Sequence, residues 1–391
     1  MTSAQWSVEN GSKHREDCFP AADGSCLCTS PATRLVLPVL YTFMLLMGLT
    51  GNAWSLWIFT KMIHTKSSTH IYLISLGVSN LLLCLTMPFQ AAYFAAGASW
   101  RVSDPACRLA IGLVTPVLHI NIYVGMFTLT WIGLSRCALL LQHDLGGRSS
   151  TCTSVLPPSF FHRLRQASFA KVSCVVTWTV VIAAVLPVVI YYSVQEATAL
   201  DRTQVCYSLP VEVGGGGSRG AAVVALVFFY ICFLLVLASY SAVSRYFIRS
   251  RRNTVILEKH QVYARVLRNI VVIQFVLTVC LLPHHIFKAV FINQVRQAAQ
   301  LVTDGCHSLS WLVEVKNLLT CLAVLRCSID PIIYFLLDKT FRKYAMGMLN
   351  TSVTSQVPLP AIQSFPSVAQ NRSCGRDNQC VQAMTQESPM V

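Results

Sequence analysis

The stretch EVKNLLTCLAVLRCSIDPIIYFLLDK, residues 314–339, is apolar enough to lie in a membrane, yet it carries Glu314, Lys316, Arg326 and Asp330. Lipid tolerates such charges only where they face the inside of a helix bundle. On a helix turning about 100° per residue, Lys316, Ala323, Asp330 and Tyr334 fall within about 40° of one line, with Arg326 on its flank. Glu314 points nearly the opposite way and is expected at the rim. If the segment spans, its polar face must be interior.

The rest of the chain supports a span. Of 391 residues, 54% are hydrophobic and 12% charged, about half the charged share of a soluble domain. The mean hydropathy is +0.55. A formal charge of +14 could point to nucleic acid, but the basic residues sit in short loops between apolar runs, with no aromatic-interleaved patch. Six further stretches lack Asp, Glu, Lys and Arg: 35–60, 67–100, 109–135, 172–195, 220–244 and, more marginally, 269–287. About 20 apolar residues cross a bilayer as a helix, and lipid leaves backbone groups no other partner. No basic-then-apolar leader opens the sequence, so the first span is expected to target the chain.

Charge distribution gives the orientation and the count. With the N-terminus outside, the inner segments 60–67, 142–171, 245–268 and 338–343 hold sixteen Lys/Arg and three acids. The outer segments 1–34, 97–108, 193–219 and 293–305 hold eight Lys/Arg and nine acids. This asymmetry follows the positive-inside rule. The basic cluster Lys339, Arg342 and Lys343 falls inside only if the opening stretch also crosses. The expected fold is an all-α seven-transmembrane bundle over 35–337. It follows an extracellular segment 1–34 and precedes an amphipathic helix 338–349 and a disordered cytoplasmic tail 350–391. In that helix Phe341, Ala345 and Met348 oppose the basic residues, which suits an anionic leaflet. Asn10-Gly11-Ser12 is an outer glycosylation sequon; those at Asn350 and Asn371 fall inside.

Many of the sixteen cysteines lie within spans and read as small apolar fillers. Those at the outer face are expected to pair. Cys107 and Cys206 form the expected bridge; a second joins Cys306 to Cys26 or Cys28, between which sequence does not choose.

Seven spans, Cys107 with Cys206, Asp330-Pro331-Ile332-Ile333-Tyr334 and a following amphipathic helix together resemble the rhodopsin-like G protein-coupled receptors. Gly51-Asn52, Trp178, Tyr240 and Cys280-Leu281-Leu282-Pro283 add to the match, which covers about residues 30–350. The Asp-Pro form of the last motif and His285-Ile286-Phe287-Lys288 are similar to the purinergic-receptor-like branch. The resemblance implies a plasma-membrane receptor for an extracellular ligand, coupled to a heterotrimeric G protein through Arg136, Tyr240 and Tyr334. Several positions depart from the pattern. Ser135 precedes Arg136 where an acid is usual, Asn80 replaces an aspartate, Cys232 a proline, Leu281 a tryptophan and Gly125 a hydroxyl. Tyr263 stands where an acid often closes the inner lock, so a weak lock and basal activity are expected. Cys107 lies 29 residues before Arg136, about one turn more than usual, so span three begins a turn higher or contains a bulge.

The charged positions then acquire expected roles. Related receptors hold sodium between spans two and seven. Here the Arg326 guanidinium is expected in the ion's place, paired with Asp330 and hydrogen-bonded by Asn80, as an intramembrane polar switch; a purely structural ion pair is the alternative. Lys288 and Lys316, with His285 one turn below Lys288, are expected to bind an anion: a nucleotide, a lysophospholipid or a carboxylate. Snorkelling lysines that pair with Glu314 or loop acids are the alternative. Asn317 replaces an acid of the branch, which weakens the nucleotide option. No phosphate-cradling loop, HExxH or nucleophile elbow occurs, so neither an enzyme nor a cofactor is expected. Adjacent His284 and His285 point about 100° apart and do not suit a shared metal. A transporter or channel is less favoured, because no inverted repeat or interrupted helix pair is visible. A non-signalling or constitutively active receptor-like protein is the remaining alternative.

Overall fold

A computed structural model describes residues 18–20, 26–64, 66–98, 100, 105–144, 158–198, 216–252, 257–297, 302–303, 306–307 and 310–354. Among these, seven helices are long and apolar enough to cross a membrane. They are span 1 (Pro31–Met62), span 2 (Ser68–Ala95), span 3 (Pro105–Ala138), span 4 (Ala167–Val188), span 5 (Ala222–Ala242), span 6 (Leu267–Gln294) and span 7 (Ser310–Leu336). The expected seven-helix bundle is observed, and the opening stretch is its seventh span. Helix 8 (Lys339–Thr354) follows after Asp338. The chain divides into Met1–Gly347 and Met348–Val391; of the second unit only residues 348–354 are described.

The bundle has its polarity inside out. Leu35, Val39, Phe43 and Leu46 on span 1, and Val172, Val175 and Val176 on span 4, are exposed, an apolar surface fit for lipid. Asn52, Ser79, Asn80, Asn121, Arg326 and Asp330 are buried. Only 22% of the span 1 window and 17% of the span 4 window are buried, against 56% for span 2 and 50% for spans 3 and 7. Spans 2, 3 and 7 therefore form the centre, where intramembrane charge can be held.

Local breaks in the helices follow the sequence. Pro88 has no backbone N–H, and span 2 is interrupted at residues 85–86 just before it. Residues Leu277–Leu281 form a π turn ahead of Pro283. That extra residue relieves the clash a proline ring makes with the preceding turn. A second π turn, Ala110–Val114, lies in span 3 between Cys107 and Arg136. Of the higher start and the bulge that the 29-residue spacing left open, a bulge is present, and it takes up one residue. Gly51 lets Pro331 of span 7 approach span 1: a Cβ there would stand 2.8 Å from the proline ring.

One feature was not expected. Four short strands, β1 (Cys18–Pro20), β2 (Cys26–Cys28), β3 (Val302–Thr303) and β4 (Cys306–His307), form a sheet in the order β1-β2-β4-β3. Strands of two or three residues show no alternation for sequence reading to detect. The parallel β2–β4 pairing places Cys26, rather than Cys28, opposite Cys306. This sheet marks one end of the bundle; helix 8 begins at the other.

Candidate functional site

Three polar groups line the bundle along span 7. The deepest surrounds Arg326, which has 0% exposure. Its Nη1 donates to Asp330 Oδ2 at 2.8 Å and its Nη2 to Asn80 Oδ1 at 3.3 Å. Asn80 Nδ2 donates to Asp330 Oδ2 at 2.8 Å, Asn52 Oδ1 at 2.9 Å and the Tyr334 hydroxyl at 3.2 Å. Asn52 Nδ2 in turn donates to the Gly48 and Cys327 carbonyls, both at 2.8 Å. One carboxylate oxygen thus receives both the guanidinium and the amide, while Asp330 Oδ1 and Arg326 Nε have no hydrogen-bond partner among the described residues. Span 3 makes room for the guanidinium at Gly125, where a Cβ would lie 2.2 Å from Nη2. The three residues expected to meet here do meet.

A second group lies toward the sheet-bearing end. Lys288 Nζ donates to the Tyr123 hydroxyl at 3.4 Å, and Lys316 Nζ stands 5.9 Å from the centre of the Phe291 ring. These contacts bring spans 3, 6 and 7 together around a basic region. His119 Nδ1 is 2.8 Å from the Thr115 carbonyl, and His284 Nδ1 is 3.5 Å from the Thr320 hydroxyl. His285 lies deeper than the two lysines. It is fully buried and stacked on Phe229 of span 5 at 3.9 Å between ring centres, with neither ring nitrogen hydrogen-bonded among the described residues. His285 also lies beside Tyr123, at 6.2 Å between ring centres, while its neighbour His284 approaches span 7. Adjacent residues on a helix cannot share a direction, so His285 packs toward spans 3 and 5 and His284 toward span 7. Glu314 accepts a hydrogen bond from the Ser30 backbone N–H and ties span 7 to the start of span 1.

The third group is at the helix-8 end. Arg136 is half-buried on span 3. Ser135 donates to the Leu164 carbonyl at 3.3 Å, linking span 3 to the segment before span 4. Asp338 joins span 7 to helix 8. Its Oδ1 accepts the Phe341 N–H at 2.8 Å, and its Oδ2 is 3.0 Å from His70 Nε2 of span 2. Burial alone would raise this carboxyl, but the His70 ring, the Phe341 amide and the Arg136 charge hold it below the usual carboxylate range. Phe341 stacks on Phe59 at 5.0 Å and meets Tyr334 edge-on at 6.4 Å. Tyr240 is half-buried on span 5.

One described cysteine side chain bears on the expected bridges. Cys107 is disulfide-bonded, while Cys206 lies outside the described residues. The same holds for Asn10 and for the side chains of Tyr263, Cys26 and Cys306.

The 7 transmembrane receptor (rhodopsin family) profile matches residues 51–143 and 153–334. The chain belongs to the rhodopsin family of seven-transmembrane receptors. Probable G-protein coupled receptor 82 of Mus musculus is 38% identical over 331 residues, covering 84% of this chain and 99% of that one. The Homo sapiens protein of the same name is 38% identical over 329 residues, covering 84% and 96%. A purinoceptor of Bos taurus, purinoceptor 14, is 26% identical over 343 residues, covering 86% and 92%. The receptor is therefore a multi-pass plasma-membrane protein of the purinergic-like branch. Sequence reasoning missed His70, Asp338 and His119 in it. Asp338 interrupts an apolar run and stands three residues before Phe341, which is a capping signal; His70 gave none.

Proposed function

We propose that this receptor binds an extracellular anion among spans 3, 6 and 7 and relays that binding to a heterotrimeric G protein at its helix-8 end. Residues 1–34 would lie outside the cell and the end of the chain in the cytoplasm. The positive-inside asymmetry supports this orientation, as does a disulfide-bonded Cys107 at the end opposite helix 8.

The observation that carries the ligand reading is the shared basic region. Lys288 reaches Tyr123 of span 3 and Lys316 stands by Phe291 of span 6, and an anion between them would offset the cost of gathering two cations at low dielectric. Lys288 and Lys316 supply charge, while Tyr123, His119, His284 and Thr320 supply hydrogen-bonding edges. His285 supports the floor of this region through its stack on Phe229. The ligand class is an organic phosphate or carboxylate. Signalling is a population shift between two packings of the bundle, with Arg136, Tyr240 and Tyr334 at the coupling end and Asn80, Arg326 and Asp330 as the element that both ends bias. The half-satisfied Arg326–Asp330 contact favours a switching role, since a bidentate pair would hold more tightly. A basally active receptor is the second reading, because Ser135 bonds to Leu164 and offers Arg136 no carboxylate.

The test is GTPγS exchange in membranes, screened across G protein subtypes without ligand and then with anionic agonists. Arg136→Ala should abolish exchange. Lys288→Ala and Lys316→Ala should each abolish the response to an agonist. Wild-type exchange at the level of mock-transfected membranes under all conditions would refute the coupling. Normal agonist potency in both lysine variants would refute the anion site.

A further inference from the structure

We infer that the His70–Asp338 pair is a latch that keeps the receptor in its resting state by fixing helix 8 to the inner end of span 2. The inference rests on the receptor reading above and adds a resting lock where the expected acid beside Arg136 is missing.

The geometry gives the latch a defined hydrogen. The Ser67 backbone N–H donates to His70 Nδ1 at 3.3 Å, so that nitrogen carries a lone pair. The proton of the neutral ring is then on Nε2, which faces Asp338 Oδ2 at 3.0 Å. The bond thus runs from a neutral imidazole to a carboxylate and does not need a charged histidine. The other oxygen of the same carboxylate caps helix 8 through Phe341. Asp338 therefore has two separable tasks: starting helix 8 and holding it against span 2.

What the latch holds is connected to the Arg326 group and to Arg136. Phe341, on the first turn of helix 8, lies against Phe59 and Tyr334. Phe59 also packs edge-on against Tyr334 at 5.8 Å and beside His70 at 6.0 Å. The Tyr334 hydroxyl accepts from Asn80 in the Arg326 cluster. Release of His70 thus frees a ring stack that reaches the centre of the bundle. The Asp338 carboxylate also lies within the field of Arg136, so it places negative charge near the span 3 arginine. Moving helix 8 away would remove that charge from the surface where a G protein docks.

The test compares full-length wild type, His70→Phe, Asp338→Asn and the double variant. His70→Phe keeps a ring beside Phe59 but loses both nitrogens. Asp338→Asn keeps a good helix cap, but with its oxygen on Phe341 it turns an amide donor toward the His70 Nε2–H donor. Two readouts are needed: amide hydrogen exchange over residues 339–347, and GTPγS exchange without ligand. A hydrogen bond to a charged group supports about a tenfold change in the open population, so each single variant should exchange roughly tenfold faster over 339–347. The double variant should exchange no faster than the singles, since all break one bond. Basal GTPγS exchange should rise in the same order. Unchanged amide exchange in His70→Phe overturns the latch. Faster amide exchange with wild-type basal signalling also overturns it, leaving only a structural contact. Absence of GTPγS exchange in every variant and with every G protein refutes the receptor reading itself, and with it the resting lock. The amide data then report the contact alone.

Discussion

Gly125 decides where Arg326 can sit. A side chain on span 3 would enter the space of the guanidinium, since even a Cβ would lie 2.2 Å from Nη2. Gly125→Ala therefore displaces the guanidinium from Asn80 or pushes span 3 outward, at a cost of about 1–3 kcal/mol for overpacking. Arg326→Ala should be worse, about 3–5 kcal/mol, because it leaves the Asp330 carboxylate buried without its partner. Arg326→Ala combined with Asp330→Asn should recover much of that loss. Thermal unfolding in detergent ranks the four proteins, and a stable Arg326→Ala would contradict this account. If the guanidinium fills a cation's place, sodium in exchange for choline should leave the wild-type midpoint unchanged. The Arg326–Asp330 pair was legible in sequence because i and i+4 lie one turn apart on one helix. The meeting with Asn80 required the resemblance. That Gly125 yields its space to Arg326, and that His70 meets Asp338, could not be read. Those residues are 201 and 268 apart in the chain, and only the packing of whole spans brings them together.

Helical elements in this receptor are adjusted by single extra residues. The π turn Ala110–Val114 takes up one residue of the longer segment between Cys107 and Arg136. The longer spacing was visible in sequence, but the position of a bulge within it was not, because an α-helix and a π turn carry the same apolar pattern over so few residues. Gly112 lies in this turn with open space where its Cβ would be. Gly112→Ala should thus be tolerated, or raise stability by about 0.5–1 kcal/mol through loss of backbone freedom in the unfolded chain. Deleting Gly112 is a different perturbation. It would convert the π turn to an α turn and rotate everything before it by about 100°. Cys107 would then point away from its disulfide partner, and surface expression should fall sharply. Expression of the deletion variant equal to that of Gly112→Ala would show that the π turn is dispensable. The small sheet marks the limit of legibility at this scale: its strands are too short to carry a period, and pairing gave Cys26 its place opposite Cys306.

Across the whole molecule, parity is the controlling argument. Seven crossings put the two ends of the chain on opposite sides of the membrane, whereas six would put them on the same side. The seventh crossing is also the one whose hydropathy is most compromised by charge. The structure accommodates those charges by turning Arg326 and Asp330 to the centre and Glu314 to the first span. Parity has a chemical consequence that does not depend on signalling. Asn10, Asn350 and Asn371 each begin a glycosylation sequon. Glycan transfer occurs only on the luminal side, which becomes the cell exterior. With seven spans and the N-terminus outside, Asn10 should carry glycan, and Asn350 and Asn371 should not. Treatment of cell-surface protein with an amidase that removes N-linked glycans should increase its mobility on a gel. Asn10→Gln alone should reproduce that shift, while Asn350→Gln and Asn371→Gln should leave mobility unchanged. A shift caused by either C-terminal variant would place residues 350–391 outside. It would thereby remove the cytoplasmic setting that helix 8, the His70–Asp338 latch and the Arg136 end all require.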